Sequence, residues 1–478
     1  MRELIKRSLA EHRIALDAGD YSSLELTRLY LEEIERRDGD VGAYLTVTAE
    51  TAIRDAQEAD ARRATGCVRG ALDGIPYALK DNFCTDGVRT TCASNMLKNF
   101  VPPYDAAVVS RLKAAGAVLL GKLNMDEFAM GSTGETSALR RTRNPVNENC
   151  VPGGSSSGSA AAVAALEAAF TLGSDTGGSV RQPAAFCGVY GMKPTYGVIS
   201  RYGMIALASS LDCVGVVTRS AEDCGTVLSC LSGKDARDAT SVSHPFPKFS
   251  QYKKDGSRPL RVAVVRELMA EGVLSSDVRH ALQLAEKRLE ELGAEIGEVS
   301  LPSPEAALAA YDVICAVEAA SNLARYDGIR YGYSEAAEEL FELYAKNRSK
   351  GFGYEVKKRI LFGTYLMGKD QRALYYDRAQ QARAQIRERM LGIFKQYDLI
   401  LSPTASTPAF STGTTLSAAE QRRADLCVVY ASLAGLPALS VPFGKNADGL
   451  PLAIQLIGAP FAEGLLLDMA KRLEEVTP

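Results

Sequence analysis

The chain has 478 residues, enough for one very large core or for two to three ordinary domains. Hydrophobic residues make up 46% and charged residues 24%, the ordinary balance of a soluble globular protein. A net charge of −3 supplies no basic face, so the chain is not expected to hold nucleic acid by itself; an RNA would be handled through a partner.

The opening, Met1-Arg-Glu-Leu-Ile-Lys-Arg7, runs into charged residues and not into an apolar stretch, so no signal peptide is expected. Residues 1–65 read as a helical region. Ser22 with Glu25 three positions on makes a capping box, and Leu24, Leu31 and Ile34 give an apolar helical face. Residues 66–230 change texture. Short apolar runs such as Ala117-Val-Leu-Leu120 end in glycine and alternate with Ala-rich stretches, the pattern of a buried α/β sheet. The most apolar of these, Ala160 to Leu166, is broken by Glu167, and no membrane span is expected. Residues 231–259 are polar and read as a linker or a surface excursion. From 260 to 478 the α/β pattern resumes: a strand at Arg261–Val265, an amphipathic helix from Asp277 to Leu292, then strands at Leu399–Leu401, Ala438–Val441 and Leu452–Ile457. Resumption of one pattern favours a single large α/β unit over 1–478.

Ten cysteines occur, none in a C-x-x-C pair and none beside a histidine cluster, so a metal site is not expected. They read as reduced, mostly buried small hydrophobes of a cytosolic protein. The three histidines, His12, His244 and His280, fall in helical or polar stretches. They read as solvated side chains, poor candidates for a Ser-His-Asp hydrolase.

The segment Gly153-Gly-Ser-Ser-Ser-Gly-Ser-Ala-Ala-Ala162 admits several readings alone. Gly154-x-Ser156-x-Gly158 matches a nucleophile elbow that lacks its histidine. Gly153-x4-Gly158 opens like a phosphate loop, but Ser159-Ala160 stand where Lys-Ser/Thr is needed. A plain serine-glycine loop before an Ala-rich helix fits equally. A second cluster, Gly173-Ser-Asp-Thr-Gly-Gly-Ser-Val-Arg181-Gln-Pro183, shifts the balance. Paired glycines let backbone N–H groups turn toward an oxyanion, Ser179 follows them directly, and Asp175 with Arg181 can fix the loop. Lys80 ends the strand-like run Gly74-Ile-Pro-Tyr-Ala-Leu-Lys80. Burial there would lower its pKa and leave an amine able to take a proton, although a solvated lysine is commoner for the residue type.

Together these segments resemble the amidase signature family: Gly153 to Ala184 follows its serine- and glycine-rich signature without a break, and Lys80 falls in its lysine motif. The resemblance implies an amidase signature fold, a large mixed β-sheet covered by helices on both faces. It implies a Ser–cis-Ser–Lys triad, with Ser179 as nucleophile, Ser155 as the bridging serine on a non-proline cis peptide, and Lys80 as base. Backbone N–H groups of Thr176, Gly177, Gly178 and Ser179 would form the oxyanion hole.

Within the family, segments along the whole chain are similar to the ammonia-supplying subunits of tRNA-dependent amidotransferases. They include Gly121-Lys-Leu-Asn-Met-Asp-Glu-Phe-Ala-Met-Gly131, Gly191-Met-Lys-Pro-Thr-Tyr-Gly197 and Glu318-Ala-Ala-Ser-Asn-Leu-Ala-Arg325. The likeness implies a cytoplasmic glutaminase working with two partner subunits in a heterotrimer that converts Glu-tRNA(Gln) to Gln-tRNA(Gln). ATP, magnesium and the misacylated tRNA would belong to the partners, with no cofactor, metal or membrane for this chain. Arg359 and Asp425 would hold the α-carboxylate and α-amine of glutamine, an opposite charge for each end of a zwitterion. Ser157, Val198 and Val216 depart from the family pattern. Two rival readings are a stand-alone amidase for another small amide and a non-catalytic protein that keeps the fold; retention of Lys80, Ser155 and Ser179 together speaks against the second.

Overall fold

The computed structural model describes residues 3–256, 258–414 and 425–476. Its apolar runs become eleven strands: β1 (Tyr44–Val47), β2 (Pro76–Lys80), β3 (Val118–Leu123), β4 (Phe170–Asp175), β5 (Tyr190–Lys193), β6 (Cys213–Thr218), β7 (Arg261–Val265), β8 (Glu295–Val299), β9 (Leu399–Pro403), β10 (Ala438–Lys445) and β11 (Pro451–Gly458). All join one mixed sheet in the order β1-β3-β2-β4-β6-β5-β10-β11-β9-β7-β8. Parallel blocks, β3-β2-β4 at one end and β9-β7-β8 at the other, flank an antiparallel centre. Every residue of β2, β3, β4, β5, β6, β9 and β11 is buried, so these strands lack the in-out alternation of a half-exposed sheet.

The strands before and after the polar stretch 231–259 meet at the centre of the sheet, where Leu439 of β10 pairs with Met192 of β5. Within that stretch Phe249 is buried beside the helix Ala221–Leu231, and Phe246 and His244 pack on Phe461, so aromatic rings anchor it to the surface. Val198 and Val216, two of the departures from the family pattern, are both fully buried core residues.

Two expectations need correction. The region 1–65 is not wholly helical: β1 joins the sheet edge antiparallel to β3. Gly121 of β3 is what allows this, since a Cβ there would sit 2.2 Å from the Thr46 carbonyl oxygen. His12 is not solvated. It is fully buried, its Nδ1 lies 2.8 Å from the Tyr21 hydroxyl, and burial pulls its pKa down to about 4. Among the described residues one further helical run, Pro304–Arg325, is long and apolar enough to cross a membrane by composition, but Ala307, Tyr311, Ile314 and Cys315 are buried and it packs against the helices Tyr354–Leu366 and Tyr376–Ile393.

Candidate active site

Lys80 is the last residue of β2, flanked by β3 and β4, and its side chain is fully buried. Its Nζ lies 2.7 Å from Ser155 Oγ, 2.9 Å from Ser156 Oγ and 3.3 Å from the Ser174 carbonyl oxygen. Burial pushes its pKa down from the ordinary lysine value to about 7, opposed by the carboxylates of Asp126, Asp175 and Asp212. The expected lysine–serine contact is therefore present, with an amine that is neutral in a large fraction of molecules at physiological pH.

Ser155 follows a cis Gly154–Ser155 peptide bond. Three neighbours hold this turn. The Gly154 N–H donates to Gln182 Oε1 at 2.9 Å, the Asp126 N–H donates to the Ser155 carbonyl at 3.1 Å, and the Ser156 N–H donates to the Ser179 carbonyl at 3.0 Å. The last of these stitches the two glycine-serine clusters side by side. A Cβ on Gly154 would meet Asp126 Oδ2 at 2.0 Å, so the position accepts no side chain. The helix Ser157–Ala164 then leaves the turn, buried along its length but for Ala164. The Ser157 hydroxyl is buried with no hydrogen-bond partner among the described residues, the visible consequence of serine at that position.

The Ser179 loop connects β4 to the helix Arg181–Cys187. Asp175 and Arg181 form a fully buried, two-pronged ion pair at 2.9 and 3.0 Å. The same carboxylate accepts the N–H groups of Gly178 at 2.9 Å and Val180 at 3.2 Å. Burial alone would raise the Asp175 pKa, but the Arg181 charge and hydrogen bonds outweigh it and hold the carboxyl near 2. Arg181 reaches on to Val428 O, Gln455 Oε1 and Ser432 Oγ, tying the loop to the far half of the sheet. Ser179 is less buried than Lys80 and Ser155, at 8% exposure. The Gly178 N–H is committed to Asp175, which narrows the four expected oxyanion donors. Those of Thr176, Gly177 and Ser179 have no backbone or side-chain acceptor among the described residues.

Arg359, on the helix Tyr354–Leu366, and Asp425 line one cavity of about 280 Å³. The loop Gly131–Thr136 lines it too, as do Leu308, Asp312 and, from the Arg359 helix, Glu355, Lys358 and Phe362. The Arg359 guanidinium donates to Cys315 Sγ at 3.4 Å. Burial raises the Asp425 carboxyl to about 8, against the pull of Arg359. Lys80, Ser155 and Ser179 do not line this cavity, but the loops that carry the two serines are tied to its surroundings. Tyr311 packs on Gly177 so closely that a Cβ there would lie 2.3 Å from its ring, and Gln182 Nε2 donates to the Ser132 carbonyl at 3.0 Å.

Sequence reasoning missed several residues at this site. Ser156 is a second hydroxyl on Lys80, Asp126 braces the turn, and Tyr311 packs on Gly177. Asp212 accepts the Thr176 hydroxyl at 2.7 Å. Ser156 and Asp126 lay in segments already singled out, but nothing in the spacing marked the contacts they make.

A family model described as Amidase matches residues 25–467. Among curated relatives, a protein of Moorella thermoacetica named as a glutamyl-tRNA(Gln) amidotransferase subunit is 50% identical over 472 residues, covering 98% of this chain and 96% of the relative. A protein of the same name from Geotalea daltonii is 48% identical, covering 99% and 98%. Among solved structures, the glutamyl-tRNA(Gln) amidotransferase subunit of that name from Thermotoga maritima superposes with a TM-score of 0.82 at 38% identity, covering 99% of this chain and 95% of that one. The peptide amidase of Stenotrophomonas maltophilia superposes with a TM-score of 0.83 at 30% identity, covering 98% and 96%. A family model matched over residues 25–467, together with a relative 50% identical over 98% of the chain, shows that the chain belongs to the Amidase family.

Proposed function

We propose that this chain is the glutamine-hydrolysing subunit of a tRNA-dependent amidotransferase that converts Glu-tRNA(Gln) to Gln-tRNA(Gln). The observation that carries the chemistry is the buried Lys80 amine 2.7 Å from Ser155, with its pKa lowered to about 7. Ser179 Oγ attacks the glutamine carboxamide carbon. Its proton passes to Ser155, which gives its own to the neutral Lys80 amine. Charge on the tetrahedral oxygen is met by the loop N–H groups of Thr176, Gly177 and Ser179. Lys80 then returns a proton through Ser155 to the departing nitrogen, releasing ammonia and leaving a glutamyl ester on Ser179. Water hydrolyses the ester by the same relay, so that glutamine and water become glutamate and ammonia.

Arg359 and Asp425 would recognise the amino-acid end of glutamine. An incoming α-ammonium favours the ionised Asp425 that burial otherwise disfavours, so substrate and site complete each other's charge. Ammonia would pass to a partner subunit holding ATP, magnesium and the misacylated tRNA, within a heterotrimer in the cytoplasm. The curated names of relatives matched from end to end support this assignment.

The likeness to a peptide amidase supports a second reading, a stand-alone amidase for another small amide. The deciding experiment measures glutamine hydrolysis by the wild-type chain and by Arg359→Ala. Turnover of glutamine whose KM rises at least tenfold in the variant supports the glutaminase, roughly the loss expected when one charge-assisted contact is removed. A wild-type chain that hydrolyses simple amides and ignores glutamine sinks it.

A further inference from the structure

Glu127 is nearly fully buried just beyond β3, within the Gly121–Gly131 segment, and nothing in the hydrolytic relay uses it. Its Oε2 accepts the Gly353 N–H at 2.8 Å, and its Oε1 lies 2.5 Å from the Ser94 hydroxyl. Gly353 is the N-cap of the helix Tyr354–Leu366, which carries Arg359 less than two turns further on and has no side-chain cap of its own. A carboxylate at that end satisfies an orphan donor and meets the positive pole of the helix. The fit is close: a Cβ on Gly353 would lie 2.3 Å from Glu127 Oε2.

The other end of Glu127 is tied to the Gly131–Thr136 loop that also lines the cavity. Its own N–H donates to Thr136 Oγ1 at 3.1 Å, and that hydroxyl donates to Asp126 Oδ1 at 2.9 Å. Asp126 in turn donates its N–H to the carbonyl of Ser155. The neighbouring Phe128 has φ of +49° and packs its ring on Phe352, 5.6 Å away, beside Gly353. One side chain thus spans from the loop that braces the bridging serine to the start of the helix that holds Arg359.

We propose that Glu127 is a positioning residue for the amino-acid end of the substrate: its carboxylate fixes the Arg359 helix against the Asp126–Thr136 loop and so sets where the guanidinium meets the α-carboxylate. This rests on the glutaminase reading above. Glu127→Ala frees the helix end, so KM for glutamine rises roughly tenfold or more while kcat changes less than about threefold. Hydrolysis of butyramide, which has no α-carboxylate, changes less than about threefold. Glu127→Gln keeps a neutral acceptor for the Gly353 N–H and recovers most of the loss in KM. An unchanged KM in Glu127→Ala overturns the proposal. So does an equal loss on glutamine and butyramide, which marks a merely structural role, and so does a glutamine variant no better than the alanine one. A wild-type chain that hydrolyses butyramide but not glutamine overturns the glutaminase reading itself, and is seen before any variant is measured.

Discussion

Three hydrogen-bond partners surround the Lys80 nitrogen, and their chemistry decides what the amine can do. The Ser174 carbonyl can only accept, whereas the hydroxyls of Ser155 and Ser156 can accept or donate. A neutral amine keeps two N–H bonds for Ser174 and Ser156 and turns its lone pair to the Ser155 hydroxyl. An ammonium has no lone pair and cannot take that proton. Since burial lowers the pKa to about 7, the competent form is lost as pH falls below that value, so kcat/KM for glutamine should rise between pH 6 and 8. Lys80→Ala should cut kcat by about 10²- to 10⁴-fold. Lys80→Arg should be nearly as inactive, because a guanidinium stays protonated at any working pH. An arginine variant that kept most activity, measured as ammonia release, would make the lysine an electrostatic aid and not a base.

Secondary-structure elements meet at the Asp175–Arg181 pair, which closes the loop between β4 and the helix Arg181–Cys187 while reaching Val428 and Gln455. Asp175→Asn leaves a buried arginine without its counter-charge, and breaking such a pair costs about 3–5 kcal/mol. Denaturant melts of the variant should show that loss, together with a fall in Ser179 labelling by a serine-reactive probe. The sign with pH follows from the depressed pKa. The Asp175 contribution is complete above the ordinary carboxylate range and is lost as pH falls through about 2. A melt of Asp175→Asn indistinguishable from wild type would contradict this account.

Legibility in the sequence also varies by element. The capping box of Ser22 and Glu25 forms as written, and the strand at Arg261–Val265 has the bounds its β-branched run suggested. β1 was not legible, because four residues carry too little period and its place is set by a glycine 74 residues away. At the site, residues within one glycine-serine cluster could be read together, since neighbours in sequence share a turn. Tyr311 and Glu127 could not, because their importance lies in contacts with Gly177 and Gly353, and no local pattern records such pairings.

For the whole molecule, one sheet crosses the chain from edge to edge, and β5 and β10 join its halves at the centre. The two halves should therefore unfold together, in a single denaturant transition that coincides by circular dichroism and by tyrosine fluorescence, as the chain has no tryptophan. Two separated transitions would mark two independent domains. The same economy shapes the division of labour. With a net charge of −3 and no phosphate-loop lysine motif in its sequence, this chain is not expected to hold tRNA or ATP tightly by itself. Purified alone, it should hydrolyse glutamine, consume no ATP and bind tRNA weakly. With partner subunits, ATP, magnesium and misacylated tRNA, amide transfer from glutamine should appear. In a Ser179→Ala assembly that transfer should fall by on the order of 10⁴-fold or more, because the proposed nucleophile is gone while the loop held by Asp175 remains. Ammonium chloride should still support transfer in that assembly, since only the source of ammonia is lost. If the variant assembly cannot use free ammonia either, Ser179 serves more than hydrolysis and the two activities are not divided between chains.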